Sequence, residues 1–479
     1  MKNEFFTRKF VPAAHTVKSL CFSPSRIRRL RKGLGFIMKK HMNGILSAGI
    51  CAALALTAFT GCGDTGHSRN LMDDVTTGQT DAGANNAGQT RPDTPAADPA
   101  PANAGLPAAD AVTYTDFAVR LFRECTLQGE GNNVLISPLS VIDALAMTAG
   151  GSRAETLAQM EKLFDADLDS LCSYLKSYHE ALPSDEKYKL HAANSIWVKD
   201  NGGFTVSPDF LQKNAKLANA DVYLAPFDSS TLKDINHWVS ENTNKMIPEI
   251  LDQIPDDAVM YLINALAFDA EWQTIYKEHQ IRDGIFTCED GTTQETEMMY
   301  SSEYAYLQDS QAQGFIKYYN DKKYAFAALL PEEGISIEDY AASLTGQGLH
   351  ELLSDPTEIP VEAAIPKFEI QYDILLNDIL KNLGMVDAFD PDAADFSGLG
   401  SSSGGNLFIS RVIHKTCITV DEKGTKAGAS TAVEVCNESA ALEPVEPKTV
   451  YLDRPFVYMI IDCEENLPVF MGTVSVPAR

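Results

Sequence analysis

Apolar residues first fall into a helical rhythm at Tyr114, Phe117, Ala118, Leu121, Phe122 and Cys125, spaced i, i+3, i+4, i+7, i+8 and i+11, which lines one face of a helix. Asn133-Val-Leu-Ile-Ser137-Pro138 then reads as a short buried strand running into a helix with Pro just inside its start. Gly150-Gly151 should stop that helix, and Ser152-Arg-Ala-Glu155 has the spacing of a capping box for the next. Strand-like runs follow at 194–198, 259–267, 324–330 and 361–368. A helix is expected at 374–383, and the last 60 residues are mostly strand-like. Helices first, then a mixture, then strands predict an α+β fold with helices packed on large, mostly antiparallel or mixed sheets. No repeat period emerges. No Pro/Gly-rich break divides 112–479, so these residues are expected to form one domain.

The pattern before residue 112 is of another kind. A charged start at Met38-Lys-Lys leads into residues 44–60, apolar apart from Ser47, Thr57 and Thr60, and then Gly61-Cys62. This is signal-peptide architecture, short of the roughly 20 apolar residues of a stable span. The ending resembles a bacterial lipobox. By that resemblance 38–61 is a lipoprotein signal and Cys62 a lipid anchor, placing the protein on the outside of a bacterial membrane. Phe59 stands where Leu is usual, and an ordinary signal peptide cleaved nearby is the alternative. Residues 1–37, with Arg26, Arg28, Arg29, Arg31 and Lys32 bunched together, read as a basic leader or as a start placed ahead of the true one at Met38. Residues 62–111 are rich in Asp, Thr, Gly, Asn, Ala and Pro and too polar to bury a core. They are expected to form a disordered tether spanning on the order of 40 Å.

Charge narrows the function classes. The chain carries 39 basic and 66 acidic residues, a net −27. The first 61 residues hide part of this, and those after them hold 28 basic against 65 acidic residues. So acidic a surface repels nucleic acid, and membrane contact is expected only through the anchor. The nine cysteines contain no C-x-x-C pair and read as separate thiols. Gly400-Ser-Ser-Ser-Gly404 matches G-x-S-x-G on paper. A nucleophile elbow needs a strand before it and a helix after, whereas Ser and Gly flank this run, so a loop is expected. Asp165, Asp167 and Asp169 begin like a calcium loop, but Ser170 replaces the turn Gly and Lys176 the bidentate Glu. No zinc-protease, P-loop or dinucleotide motif is present. Neither catalysis nor a cofactor is expected.

The most informative stretch follows Asp421. With period 2, Thr425, Ala427, Ala429, Thr431, Val433 and Val435 form a small-to-apolar face, and Lys426, Gly428, Ser430, Ala432 and Glu434 a wetter one. Yet Gly-Thr-Lys-Ala-Gly-Ala-Ser is a poor strand former, and a polar run ending in Pro444 follows. The segment suits both an exposed loop and a buried strand.

Family resemblance sharpens this reading. Glu422-Lys423-Gly424-Thr425 and the small residues after it resemble the hinge of an inhibitory serpin's reactive loop. Leu407–Glu422 resembles the strand feeding that loop, and Asn133–Ser140 the segment entering the family's second helix. The run from Leu262 to Trp272 resembles the strand that ends in its breach tryptophan. Asp453-Arg454-Pro455-Phe456 and Phe470-Met471-Gly472 resemble its closing strands. The resemblance spans the whole folded part and implies a serpin fold with an exposed reactive-centre loop. It implies a monomeric suicide inhibitor of a protease, with a hinge at Glu422, Lys423, Gly424, Thr425, Lys426, Ala427, Gly428, Ala429, Ser430 and Thr431. Ser137, Ser140, Asn264 and His414 take shutter positions, where polar side chains manage sheet opening. Lys426 stands where Glu is usual, on the outer face. Counting seventeen residues from the hinge Glu422 places the attacked bond at Glu438–Ser439, although counting back from Arg454-Pro455-Phe456 lands several residues later. A non-inhibitory serpin, acting as a binding or chaperone-like surface protein, is the alternative.

Overall fold

In the computed structural model the first helical rhythm becomes a helix, α1 (Ala108–Gly129), that starts four residues ahead of the expected boundary and buries Phe117, Leu121, Phe122 and Cys125 completely. The structure describes residues 68–72, 108–129, 131–181, 188–200, 203–215, 220–320, 322–403, 405–425 and 446–477. All belong to the unit Gly63–Arg479. Cys62, the hinge residues Lys426 to Thr431 and the Glu438–Ser439 bond lie outside the described residues.

The further helices are α2 (Pro138–Ala149), α3 (Ala154–Phe164), α4 (Leu168–Ala181), α5 (Pro208–Asn214), α6 (Ser229–Asn242), α7 (Ile337–Ser343), α8 (Gly346–Ser354) and α9 (Asn377–Asn382). Strands are numbered in chain order. The first sheet contains β1 (Arg69–Asn70), β3 (Tyr188–Lys199), β5 (Ala220–Ala225), β6 (Met260–Glu271), β12 (Phe368–Leu375), β14 (Arg411–Val420) and β15 (Gly424–Thr425), in the order β1-β5-β3-β6-β15-β14-β12. The second contains β2 (Val134–Ile136), β7 (Ile281–Thr287), β8 (Thr293–Gln308), β9 (Ala312–Tyr318), β10 (Tyr324–Pro331), β11 (Thr357–Pro366), β16 (Lys448–Tyr451), β17 (Phe456–Asp462) and β18 (Leu467–Val474). A ribbon of β4 (Phe204–Val206) and β13 (Gly400–Ser402) stands apart.

The centre of the first sheet is buried on both faces, and β6 shows how. Leu262, Leu266 and Phe268 enter the main core, while Tyr261, Ile263 and Ala265 pack with Trp197, Trp238 and Val239 under α6. A near-continuous apolar run is what such a doubly covered strand requires. Asn264 takes its place in the alternation on the main-core side, between Leu262 and Leu266.

Two local expectations are corrected. Ser152 does not cap a helix; its hydroxyl donates to the Ala149 carbonyl at 2.8 Å, closing the turn after α2, and α3 starts at Ala154 without a side-chain cap. The helix expected at 374–383 is shortened because Ile374 and Leu375 pair with His414 and Ile413 in the β12–β14 ladder. A short apolar run does not by itself decide between the two periods. Asp167, in the run already read as unlike a calcium loop, caps α4 by accepting from the Ser170 N–H and hydroxyl.

The third correction concerns the tether. Residues 68–72 dock on the sheet edge instead of standing clear of it. Arg69 and Asn70 pair antiparallel with Leu224 and Tyr223, and the Leu71 N–H donates to the Val222 carbonyl at 2.8 Å. Leu71 is buried in the main core. Asn70 donates to Asp221, whose other oxygen accepts from the Trp238 indole, and Ser68 binds Asp234. The tether is polar on average, but average composition conceals the one apolar pair, Leu71-Met72, near its start. Leu71→Ser is expected to undock this short segment without unfolding the sheet. Hydrogen exchange at the Leu71 amide should speed up at least about tenfold while exchange in β6 stays unchanged; unaltered protection at Leu71 would contradict the docking.

Candidate functional site

The site is assembled where β6 meets β14. The two run parallel, paired from Arg411↔Tyr261 to Cys417↔Ala267, and this register sets His414 opposite Asn264. Below them Ser137 caps α2: its backbone is extended, its hydroxyl oxygen accepts from the Ser140 N–H at 3.3 Å, and the hydroxyl donates to the Val469 carbonyl at 2.9 Å. The start of α2 therefore points at the β6–β14 seam.

The structure gathers Ser137, Ser140, Asn264 and His414 into one buried network. The Ser137 N–H donates to His414 Nε2 at 3.0 Å, which fixes the neutral tautomer with its proton on Nδ1. That proton goes to Asn264 Oδ1. The Asn264 amide in turn donates to the Ser140 carbonyl and hydroxyl and to Asn194 Oδ1. Complete burial pushes the His414 imidazole down to about 3, so it is uncharged at neutral pH. Asn194 on β3 is the member that sequence reasoning missed. Its strand was legible, but nothing in an alternating run marks one Asn as an inward partner. Asn194 Nδ2 is buried with no partner among the described residues.

The upper end of the seam holds the start of the hinge. Asp421 Oδ1 accepts from the N–H groups of Lys423 and Gly424, an Asx turn that reverses the chain. Gly424 and Thr425 then pair antiparallel with Glu271 and Ala270 of β6, and Thr425 also with Val420 of β14. A Cβ at Gly424 would run into the Ala270 carbonyl oxygen, and φ there is +159°, so this position demands glycine. Trp272 holds the turn from the other side. Its indole N–H donates to the Asp421 carbonyl at 2.9 Å and its backbone N–H to Lys423 at 2.8 Å, while the Tyr276 N–H reaches the Glu422 carbonyl at 2.9 Å. Tyr319 stacks on Trp272 at 4.5 Å, and its hydroxyl lies 2.6 Å from that of the fully buried Thr425. Lys367 pairs with Glu422 at 2.7 Å and, through the hydrogen bond it donates, holds that carboxyl below the usual range. Tyr276, Tyr319 and Lys367 were also missed, because they come from segments far apart in sequence.

Ser401 and Ser402 belong to a two-stranded ribbon with β4, a short strand in place of the expected loop; it is not the strand–turn–helix of a nucleophile elbow.

A family model described as "Serpin (serine protease inhibitor)" matches residues 112–477. A serpin-like protein of Thermococcus kodakarensis is 30% identical over 368 residues, covering 75% of this chain and 84% of its own. The leukocyte elastase inhibitor of Equus caballus is 31% identical over 382 residues, covering 76% and 98%. Among solved structures, the thermophilic serpin tengpin in its native state is 46% identical with a TM-score of 0.74, covering 85% of this chain and 99% of that one.

The neutral His414 has a consequence in acid. An unfolded imidazole takes up its proton below about 6.5, the buried one only near 3, so between these values the unfolded chain binds more protons and stability falls as pH drops. Above about 6.5 the group contributes no pH dependence. From pH 7.5 to pH 5 this amounts to about 2 kcal/mol. In His414→Gln, which cannot titrate, the difference in urea-unfolding free energy between these two pH values should shrink by that amount. An unchanged difference would show that His414 is not held neutral.

Proposed function

The chain belongs to the serpin family, and we propose that it is an inhibitory member, a suicide substrate for a target protease and not itself an enzyme. The observation that carries this reading is the closed seam with the hinge at its end: β6 and β14 pair directly, and Gly424–Thr425 already stands antiparallel to both at their upper limit. In the mechanism we propose, the protease nucleophile attacks a loop carbonyl. An ester forms as the peptide C–N bond breaks, and the leaving amine takes a proton. The freed segment then continues from Thr425 into the seam as a new strand, carrying the acyl-enzyme with it.

The register at the hinge says where each residue would arrive. Thr425 pairs with Ala270 on one side and Val420 on the other. Extended without a bulge, both ladders bring Thr431 opposite Asn264 and opposite His414. Insertion would break the His414–Asn264 hydrogen bond and put a hydroxyl, able to donate and accept, between the two groups. Residues 427 to 430 are Ala, Gly, Ala and Ser, small enough to pass between the parted strands. Pairing ten or more inserted residues at about 1 kcal/mol each contributes on the order of 10 kcal/mol, sufficient to trap an intermediate. These small side chains favour inhibition over a non-inhibitory binding role. We place the attacked bond at Glu438–Ser439, which suits a protease that prefers acidic residues. Cys436, Ala440 or Ala441 would suit an elastase-like enzyme, the class named for the horse relative. A monomer is sufficient for the mechanism.

Mixing the protein with a panel of serine proteases is expected to give an SDS-resistant complex and a released C-terminal fragment beginning at Ser439. In Thr425→Arg, where burying a charge costs several kcal/mol, cleavage should proceed with no stable complex. Undiminished complex in that variant would defeat the insertion mechanism, and a fragment starting outside 437–443 would defeat the bond assignment.

We further propose that the mature protein is tethered outside a bacterial cell through a lipidated Cys62, as the signal-like residues 38–61 support. Cys62→Ala should then move the protein from the membrane fraction to the soluble one; a variant that stays with the membrane refutes the anchor.

A further inference from the structure

Away from the seam, α2, α4 and α5 enclose a cleft of about 350 Å³, at the lower end of the roughly 300–1,000 Å³ typical of small-molecule sites. Met147 of α2 and Leu168 of α4, both buried, give it an apolar floor. Burial pushes the Cys172 thiol up to about 11, so that side chain lines the cleft as a neutral, soft contact.

Two features make the cleft more than an apolar groove. Asn214, the last residue of α5, is 1% exposed and lines it. Its Nδ2 donates to the Phe210 carbonyl at 3.1 Å, which fixes the orientation of the amide, and its buried Oδ1 meets no donor among the described residues. Lys213, beside it on the rim, enters no ion pair among those residues, in a chain with a net charge of −27. Lys176 also lines the rim, paired with Glu180 at 2.7 Å, and Asp169 adds one carboxylate. With Lys176 engaged by Glu180, Lys213 is the rim ammonium left to meet an anionic group.

We propose that this cleft binds a small amphipathic organic monoanion: an apolar body on Met147 and Leu168, an N–H or O–H group donated to Asn214 Oδ1, and a carboxylate or sulfonate at Lys213. The occupant would touch all three helices. Two of these are already joined near the cleft, where His179 of α4 meets both carboxylate oxygens of Asp143 of α2 at 3.0 Å. A ligand of this arrangement stabilises it by mass action.

The probe is 1-anilinonaphthalene-8-sulfonate, which has two aromatic units, one N–H and one sulfonate, titrated by fluorescence into the folded full-length chain. A single saturable site is expected, retained in Lys213→Arg and weakened about tenfold or more in Lys213→Glu. Ser173→Trp, which sets an indole into the cleft from an exposed position on α4, should abolish it. Melting curves of the unliganded variants verify that each is folded, and Cys172→Phe replaces Ser173→Trp if the latter is not. Absence of a saturable site, or binding at full strength in either Lys213→Glu or the cleft-filling variant, overturns the proposal.

Discussion

Met260–Glu271 and Arg411–Val420 lie side by side in parallel while each has an antiparallel neighbour on its other flank, β3 and β12. Parallel ladders are slightly less stable per residue than antiparallel ones; the sheet has two, β3–β5 and this seam, and it is this one that carries Gly424–Thr425 at its end. A strand entering it from Thr425 would run antiparallel to both sides and replace one parallel ladder with two antiparallel ones. In the proposed insertion that difference in pairing would be a driving force that needs no side chain. Side chains hold the seam closed against it. His414, Asn264, Ser140 and Ser137 tie the two strands to each other and to the start of α2, and in a buried setting each such bond costs more to leave unmade than it contributes when made.

The hinge is restrained by comparable means at the seam's upper end. Lys367–Glu422 is its most conspicuous contact, but the two side chains are 17% and 35% exposed, and a solvent-screened pair of this kind contributes about 0–1 kcal/mol. Three N–H groups, from Trp272 twice and Tyr276 once, bind the carbonyls of Asp421, Lys423 and Glu422, and at about 1 kcal/mol each they outweigh the ion pair. Tyr319 adds the stack on Trp272 and the contact with Thr425. The chain therefore stands at the mouth of the seam with its first two residues already in register.

How much of this could be read in the sequence depended on the range of the interaction. Period and capping made α1 and the Ser137–Pro138 start of α2 legible, because helix and cap are decided within a few residues. Asn264 and His414 were legible only through family resemblance: in the alternation each sits where an apolar residue would be expected, and nothing local says that a strand 150 positions away supplies the partner. Asn194, Tyr319 and Lys367 escaped for that reason. Leu71 escaped for another, since a composition argument averages over fifty residues and one buried leucine is enough to dock five. Ser152 shows the converse, a correct local signature overridden by a carbonyl three residues back.

On the proposed mechanism the seam is closed in one state and open in another, which limits what its residues can be. Leu at 264 or 414 would pack the closed sheet without any polar group to satisfy. It would leave an arriving Thr431 with a buried hydroxyl and no partner, at a cost of about 1–3 kcal/mol. A charged imidazole would bind Asn264 more strongly, but burial forbids it. The neutral His414, with one acceptor on the Ser137 N–H and one donor on Asn264, holds the strands together by a bond that one hydroxyl can take over. On the proposed mechanism the small residues 427 to 430 answer the same demand, since they would pass between the parted strands. On the same proposal, poor strand propensity in that run suits a segment that would enter the sheet only after cleavage.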